Sequence, residues 1–175
     1  MRLGVCGMVP GDFREIEESH LEAVRALDLT AVAFHGDGER LPDVTPSECR
    51  RVRGRIAGAG LELPQFGIGF GECLFDPDAE ARRRVVAKIE RGIEVGVMLN
   101  THATLIRTGS LNPAGSYSPA PENHAPECRE RLVDTLGSVA RKAEAEGMTV
   151  VIETHLLTIM NSPETNAEVV AAVGS

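Results

Sequence analysis

One pattern recurs five times along this chain: a short apolar run, a polar loop, and an amphipathic stretch leading to the next apolar run. Leu3-Gly4-Val5-Cys6 reads as the first strand and Thr30-Ala31-Val32-Ala33-Phe34 as the second. Leu61 to Phe66 enters the third, Val97-Met98-Leu99-Asn100 is the fourth, and Met148 to Ile152 the fifth. The stretches between carry helix signals. Asp12 and Glu15 have capping-box spacing, with Phe13, Ile16, Val24 and Leu27 at helical intervals behind them. Thr45-Pro46-Ser47-Glu48 supplies a cap, a proline at the first helical position and a glutamate at the third. Asp76-Pro77 opens the third helix and Gly96 closes it; the fourth runs from about Ala125 to Glu146. Ser162-Pro163-Glu164 opens the fifth. Apolar strands alternating with helices specify an α/β fold with a buried parallel sheet and right-handed crossovers.

That alternation leaves two architectures, an open doubly wound sheet or a (β/α)8 TIM barrel. A barrel takes about 250 residues. Five βα units in 175 residues therefore correspond to a single partial barrel domain over 1–175, truncated after the fifth unit. The open sheet lacks its phosphate-loop signature. Gly7 to Asp12 is neither a dinucleotide fingerprint nor a P-loop, and Gly67-Ile68-Gly69-Phe70-Gly71 has the wrong spacing and reads as a flexible loop after the third strand. The strands are expected in sequence order, as in a barrel.

Composition removes several functions. Lys and Arg number 18 against 26 Asp and Glu, a net charge of −8, which disfavours nucleic acid and anionic membranes. Aromatic residues are 3%, with no Trp and one Tyr, Tyr117, too few for a base-stacking platform. No apolar run reaches the ~20 residues of a membrane span. The start, Met1-Arg2-Leu3-Gly4-Val5, lacks the features of a signal peptide. Cys6, Cys49, Cys73 and Cys128 form no C-x-x-C pair and read as reduced thiols of a cytoplasmic protein.

In parallel α/β folds ligands bind beyond the carboxyl ends of the strands. On the boundaries above, that rule selects His35 after the second strand, Gln65 within the third, Glu72 in the loop after it, and His102 after the fourth. Glu153 and His155 follow the fifth. Glu153 is the most informative, because a carboxylate ending an apolar strand needs a cation, an arginine or a polar network. His155 shares its side of the chain.

Val150-Val151-Ile152-Glu153-Thr154-His155, followed by Asn161-Ser162-Pro163-Glu164, resembles the sugar phosphate isomerase/epimerase group of xylose isomerase-like barrels, to which endonuclease IV is more distantly related. The resemblance spans the chain as the group's first five βα units. It implies a metal-dependent isomerase or epimerase acting on a sugar, polyol or sugar phosphate through an enediolate. Glu153 would be the metal-binding and catalytic carboxylate, with Mn, Mg, Co or Zn as the divalent ion; the other usual ligands lie on strands six to eight. His102 matches a fourth-strand histidine common in the group, and His35 a polar position after the second strand. With Gln65 and His155 these are the expected substrate contacts. Leu156 to Met160 lack the second acid frequent in ketose 3-epimerases, and Gln65 stands near where endonuclease IV has a histidine. The alternatives are an endonuclease IV-like phosphodiesterase and an inactive barrel fragment. The expected partner is a small carbohydrate, with no nucleic acid or membrane. Unpaired edge strands would favour a homo-oligomer.

Overall fold

The structure, a computed structural model, describes residues 3–175. Met1 and Arg2, which enter the reading of the amino terminus, lie outside them. Five parallel strands form one sheet in the order β1-β2-β3-β4-β5. They are β1 (Gly4–Cys6), β2 (Ala31–Asp37), β3 (Phe66–Gly69), β4 (Ala103–Ile106) and β5 (Thr149–Ile152). The helices between and after them are α1 (Glu18–Arg25), α2 (Pro46–Gly58), α3 (Ala79–Leu99), α4 (Pro126–Ala145) and α5 (Pro163–Val173). Sequential neighbours throughout, with no strand inserted out of order, are barrel topology and exclude the open doubly wound sheet.

Local chemistry accounts for the helix starts. Thr45 and Glu48 form the expected capping box of α2, and Ser162 caps α5 by accepting the Thr165 N–H. Asp12 caps only a 3-10 turn, Phe13–Glu15. The box that opens α1 is instead Glu17 and His20, whose Nδ1 accepts the Glu17 N–H at 3.0 Å.

The helices cover one side of the sheet. Phe13, Phe34 and Phe66 meet there with ring centroids 5.6–5.9 Å apart. Ile68, Ile89, Ile93 and Leu132 extend the same core along α3 and α4. The opposite, inner face carries Cys6, His35, Gly67, Leu105 and Val151, by strand alternation and register. No second layer covers it, so Val151 is 38% exposed. The sheet was expected to be buried on both faces. It is buried on one, because five strands make an open trough rather than a closed wall.

Two boundaries differ from the sequence reading. Helix α3 runs past Gly96 to Leu99, and Asn100, at φ 63°, makes the left-handed cap. The fourth strand is therefore Ala103–Ile106, not Val97–Asn100. Gly96 is a packing position: a Cβ there would lie 3.0 Å from the Met148 Cε. The third strand starts at Phe66 and includes Gly67, Ile68 and Gly69, which read as a loop. Leu61–Gln65 contributes only the isolated bridge of Glu62 with Ala31.

Candidate active site

These shifts move two expected site residues to the wrong end of the sheet. His102 precedes β4, and its carbonyl accepts the Thr149 N–H at 2.9 Å where β5 begins. Gln65 precedes β3. Both lie at the amino-terminal ends of their strands, away from the face where parallel α/β sheets bind ligands. His102 lines a separate cavity with Arg53, Pro64 and Asn100. The structure therefore does not bring them together with His35, Glu153 and His155.

The other three stand at the carboxyl-terminal face. His35 is in β2, on the inner face, and its imidazole lies across Gly67 of β3, where any side chain would collide with it. Cys6 ends β1 with its Sγ 3.9 Å from His35 Nδ1. His35, Asp37, Gly69, Phe70 and Arg107 line a cleft of about 360 Å³. Arg107 follows β4 directly. Its guanidinium carbon is 5.3 Å from the centre of the Phe70 ring and 5.7 Å from that of Tyr117, within cation–π range. Its Nε is buried with no hydrogen-bond partner among the described residues.

Glu153 directly follows β5, and its N–H donates to the Ile106 carbonyl at 2.9 Å, extending the ladder by one residue. Among the described residues its carboxylate takes neither of the ion-pair partners that a strand-end carboxylate suggests. Instead, Tyr117 donates its hydroxyl proton to Glu153 Oε2 at 2.6 Å. The Tyr117 ring also rests on His155, centroids 4.6 Å apart. Burial, then the bond to Glu153, raises the phenol's pKa above its ordinary value. His155 is held by a tight turn in which its carbonyl accepts from Thr158 and its Nδ1 accepts the Leu157 N–H at 3.3 Å. Glu72 is spoken for elsewhere: Lys88 of α3 binds it together with Glu39.

The face thus brings together the carboxylates of Glu153 and Asp37, two imidazoles, a guanidinium, a phenol and the Phe70 ring. Such a set can hold a polyhydroxy compound and move a proton. Tyr117, Arg107, Phe70 and Cys6 are not singled out by the sequence. Arg107 is legible in principle, as a charge directly after an apolar strand, once β4 is placed over 103–106.

A divalent metal demands more. Structural and catalytic sites use three or more protein ligands in fixed geometry. Among the described residues no three His, Cys, Asp or Glu side chains converge in that way, and the Glu153 carboxylate is engaged by Tyr117. The donors present do not fit a metal centre.

The family model of the xylose isomerase-like TIM barrel matches residues 21–175. The chain belongs to the xylose isomerase-like TIM barrel family. Solved structures agree on the fold. A D-psicose 3-epimerase, crystallised in the presence of D-fructose, superposes with a TM-score of 0.78 at 19% identity, over 100% of this chain and 61% of that one. The 3-keto-D-glucoside 4-epimerase of E. coli gives 0.75 at 16%, over 99% and 65%. A xylose isomerase-like barrel from Mycobacterium smegmatis, in complex with magnesium, gives 0.67 at 14%, over 93% and 55%. This xylose isomerase-like chain spans less than two thirds of the length of these proteins. No curated relative matches it by sequence.

Proposed function

We propose that this chain carries part of the binding face of a sugar isomerase or epimerase acting on a ketose or related polyol. The observation that carries the reading is Glu153: a carboxylate at the carboxyl end of β5, beside His155 and across from the cleft of His35 and Arg107. The family and the epimerases that share its fold support it.

In the proposed reaction Glu153 takes the proton from the carbon next to the substrate carbonyl. The released electron pair forms a carbon–carbon double bond, and the carbonyl electrons move onto oxygen, giving an enediolate. Return of the proton to the opposite face of the same carbon, with the carbonyl reforming, epimerises; return to the former carbonyl carbon, with the neighbouring hydroxyl proton passing to the oxyanion so that the carbonyl forms there, isomerises. The developing oxyanion needs positive charge held nearby, and Arg107 stands in the cleft to supply it. His35 and His155 contact substrate hydroxyls. A divalent ion belongs to the proposal only for a barrel that adds further ligands to Glu153. The chain by itself is expected to bind Mn2+ weakly.

The test is NMR in D2O, following exchange of the D-fructose protons next to the carbonyl. It compares the 175-residue chain with the product of the complete reading frame that contains it, with and without MnCl2. Exchange by the complete product, abolished by Glu153→Ala, is the expected result. Exchange that survives Glu153→Ala refutes the role of Glu153.

A further inference from the structure

The connection between β4 and α4 is fastened at its base and free at its tip. At the base, the fully buried Asn123 accepts the Leu111 N–H at 2.9 Å and donates to Ser110 Oγ at 3.0 Å. Ser110 Oγ donates in turn to the Ser118 carbonyl at 2.7 Å, and Asn112 Nδ2 to that of Pro119 at 2.7 Å. Pro113, Ala114 and Gly115, at the tip, are exposed. Gly115 has φ 131° and open space where a side chain would be. Among the described residues, the one hydrogen bond from segment 113–117 to anything outside the loop is that of Tyr117 to Glu153.

That bond occupies the oxygen a ligand would need. A hydroxyl on a carboxylate at 2.6 Å is a charge-assisted bond at the short end of the range. A sugar hydroxyl approaching Glu153 Oε2 offers the same donor chemistry as the phenol and competes for the same lone pairs. The ring reinforces the closed position through His155 and Arg107.

We propose that Tyr117 is a latch: it holds the tip of the β4–α4 loop closed over Glu153, and a ketose must displace its hydroxyl to reach the carboxylate. This rests on the reading of Glu153 as a substrate-binding group. Displacement frees the tip to swing about Gly115 while the Asn123 base stays in place. The phenol thus sets a threshold that only a ligand with correctly placed hydroxyls overcomes.

The chain has one tyrosine and no tryptophan, so its intrinsic emission reports on Tyr117 alone. A phenol bonded to a carboxylate is quenched, because the excited phenol passes its proton to the acceptor. The experiment compares tyrosine emission of the wild type and Glu153→Gln, with circular dichroism confirming that both are folded. It then titrates D-fructose into the wild type and Tyr117→Phe by calorimetry. Phenylalanine keeps the ring on His155 and removes only the hydroxyl. Dim emission in the wild type, brighter emission in Glu153→Gln, and D-fructose binding about tenfold or more tighter in Tyr117→Phe, the factor expected of one net hydrogen bond to a charged group, support the latch. Equal emission in wild type and Glu153→Gln overturns it. So does D-fructose binding that is equal or weaker in Tyr117→Phe. If neither protein binds the sugar, the displacement step is overturned, while the proton-exchange assay on the complete product decides the proposed function separately and the emission contrast decides whether Tyr117 closes on Glu153.

Discussion

Gly92 of α3 lies directly against Ile68 of β3, with no room between them for even a methyl group. This contact sets how closely the longest helix approaches the sheet, and Gly96 repeats it one turn later against Met148. Gly92→Ala is therefore expected to destabilise the fold despite alanine's better helix propensity. Overpacking of this kind costs about 1–3 kcal/mol. Gly54→Ala in α2, where nothing lies within 4 Å of the added carbon, should stabilise by about 0.5–1 kcal/mol. Urea unfolding of the two variants checks the contrast. A neutral Gly92→Ala would mean that the helix does not sit so close.

Lys88 ties the loops after β2 and β3 by binding Glu39 and Glu72 at once. Burial pushes the Glu72 carboxyl up, but the Lys88 ammonium outweighs it and leaves the pKa below the usual carboxylate value. A carboxyl depressed in the folded state binds protons more readily when unfolded. Its contribution to stability is complete above its unfolded pKa and is lost as pH falls through the folded one. Lys88→Met is expected to cost about 1–2 kcal/mol at neutral pH, in line with charged hydrogen bonds of this strength. It should also flatten the loss of stability on acidification. Denaturation midpoints between neutral and acid pH test both; an unchanged acid limb would place the pH dependence elsewhere.

Asn123 carries the base of the β4–α4 loop, so Asn123→Ala leaves the Leu111 N–H without a partner. Such a loss costs about 1–3 kcal/mol. Amide exchange should rise selectively across 110–118. A rise spread evenly over the molecule would show that Asn123 supports the global fold rather than the loop.

The four cysteines are free and differ sharply in environment. Burial pushes the Cys73 thiol up to about 12 and also raises Cys49. Cys6 is exposed on the inner face. Since the thiolate is the reactive form, iodoacetamide near neutral pH should modify Cys6 well before the others, which react only on unfolding. Mass spectrometry of a time course reads the order, and early labelling of Cys73 would contradict its burial.

Glu153 and His155 are legible in the sequence because the Val150-Val151-Ile152 run ends unambiguously, and a carboxylate there has no apolar explanation. His102 is not, because Val97-Met98-Leu99 satisfies a strand pattern and a helix pattern equally well. Short apolar runs carry no periodicity that separates the two. Gly96 then resembles a helix stop, when it is a point of close packing. Gln65 escapes for another reason: Gly67-Ile68-Gly69 reads as a loop, so the strand that starts at Phe66 is placed too early.

What the amino-acid sequence by itself determined was the order of elements and their kind. Apolar periodicity, caps and proline positions act over a few residues, and five βα units follow from them. Which end of a strand a polar side chain reaches was decided only by the tertiary structure, because that depends on boundaries set by packing between α3 and the sheet. The contact of Tyr117 with Glu153 was likewise decided there. The two residues are 36 positions apart, and no local propensity links them. They meet because the Asn123 anchor folds the loop back across the carboxyl ends of β4 and β5.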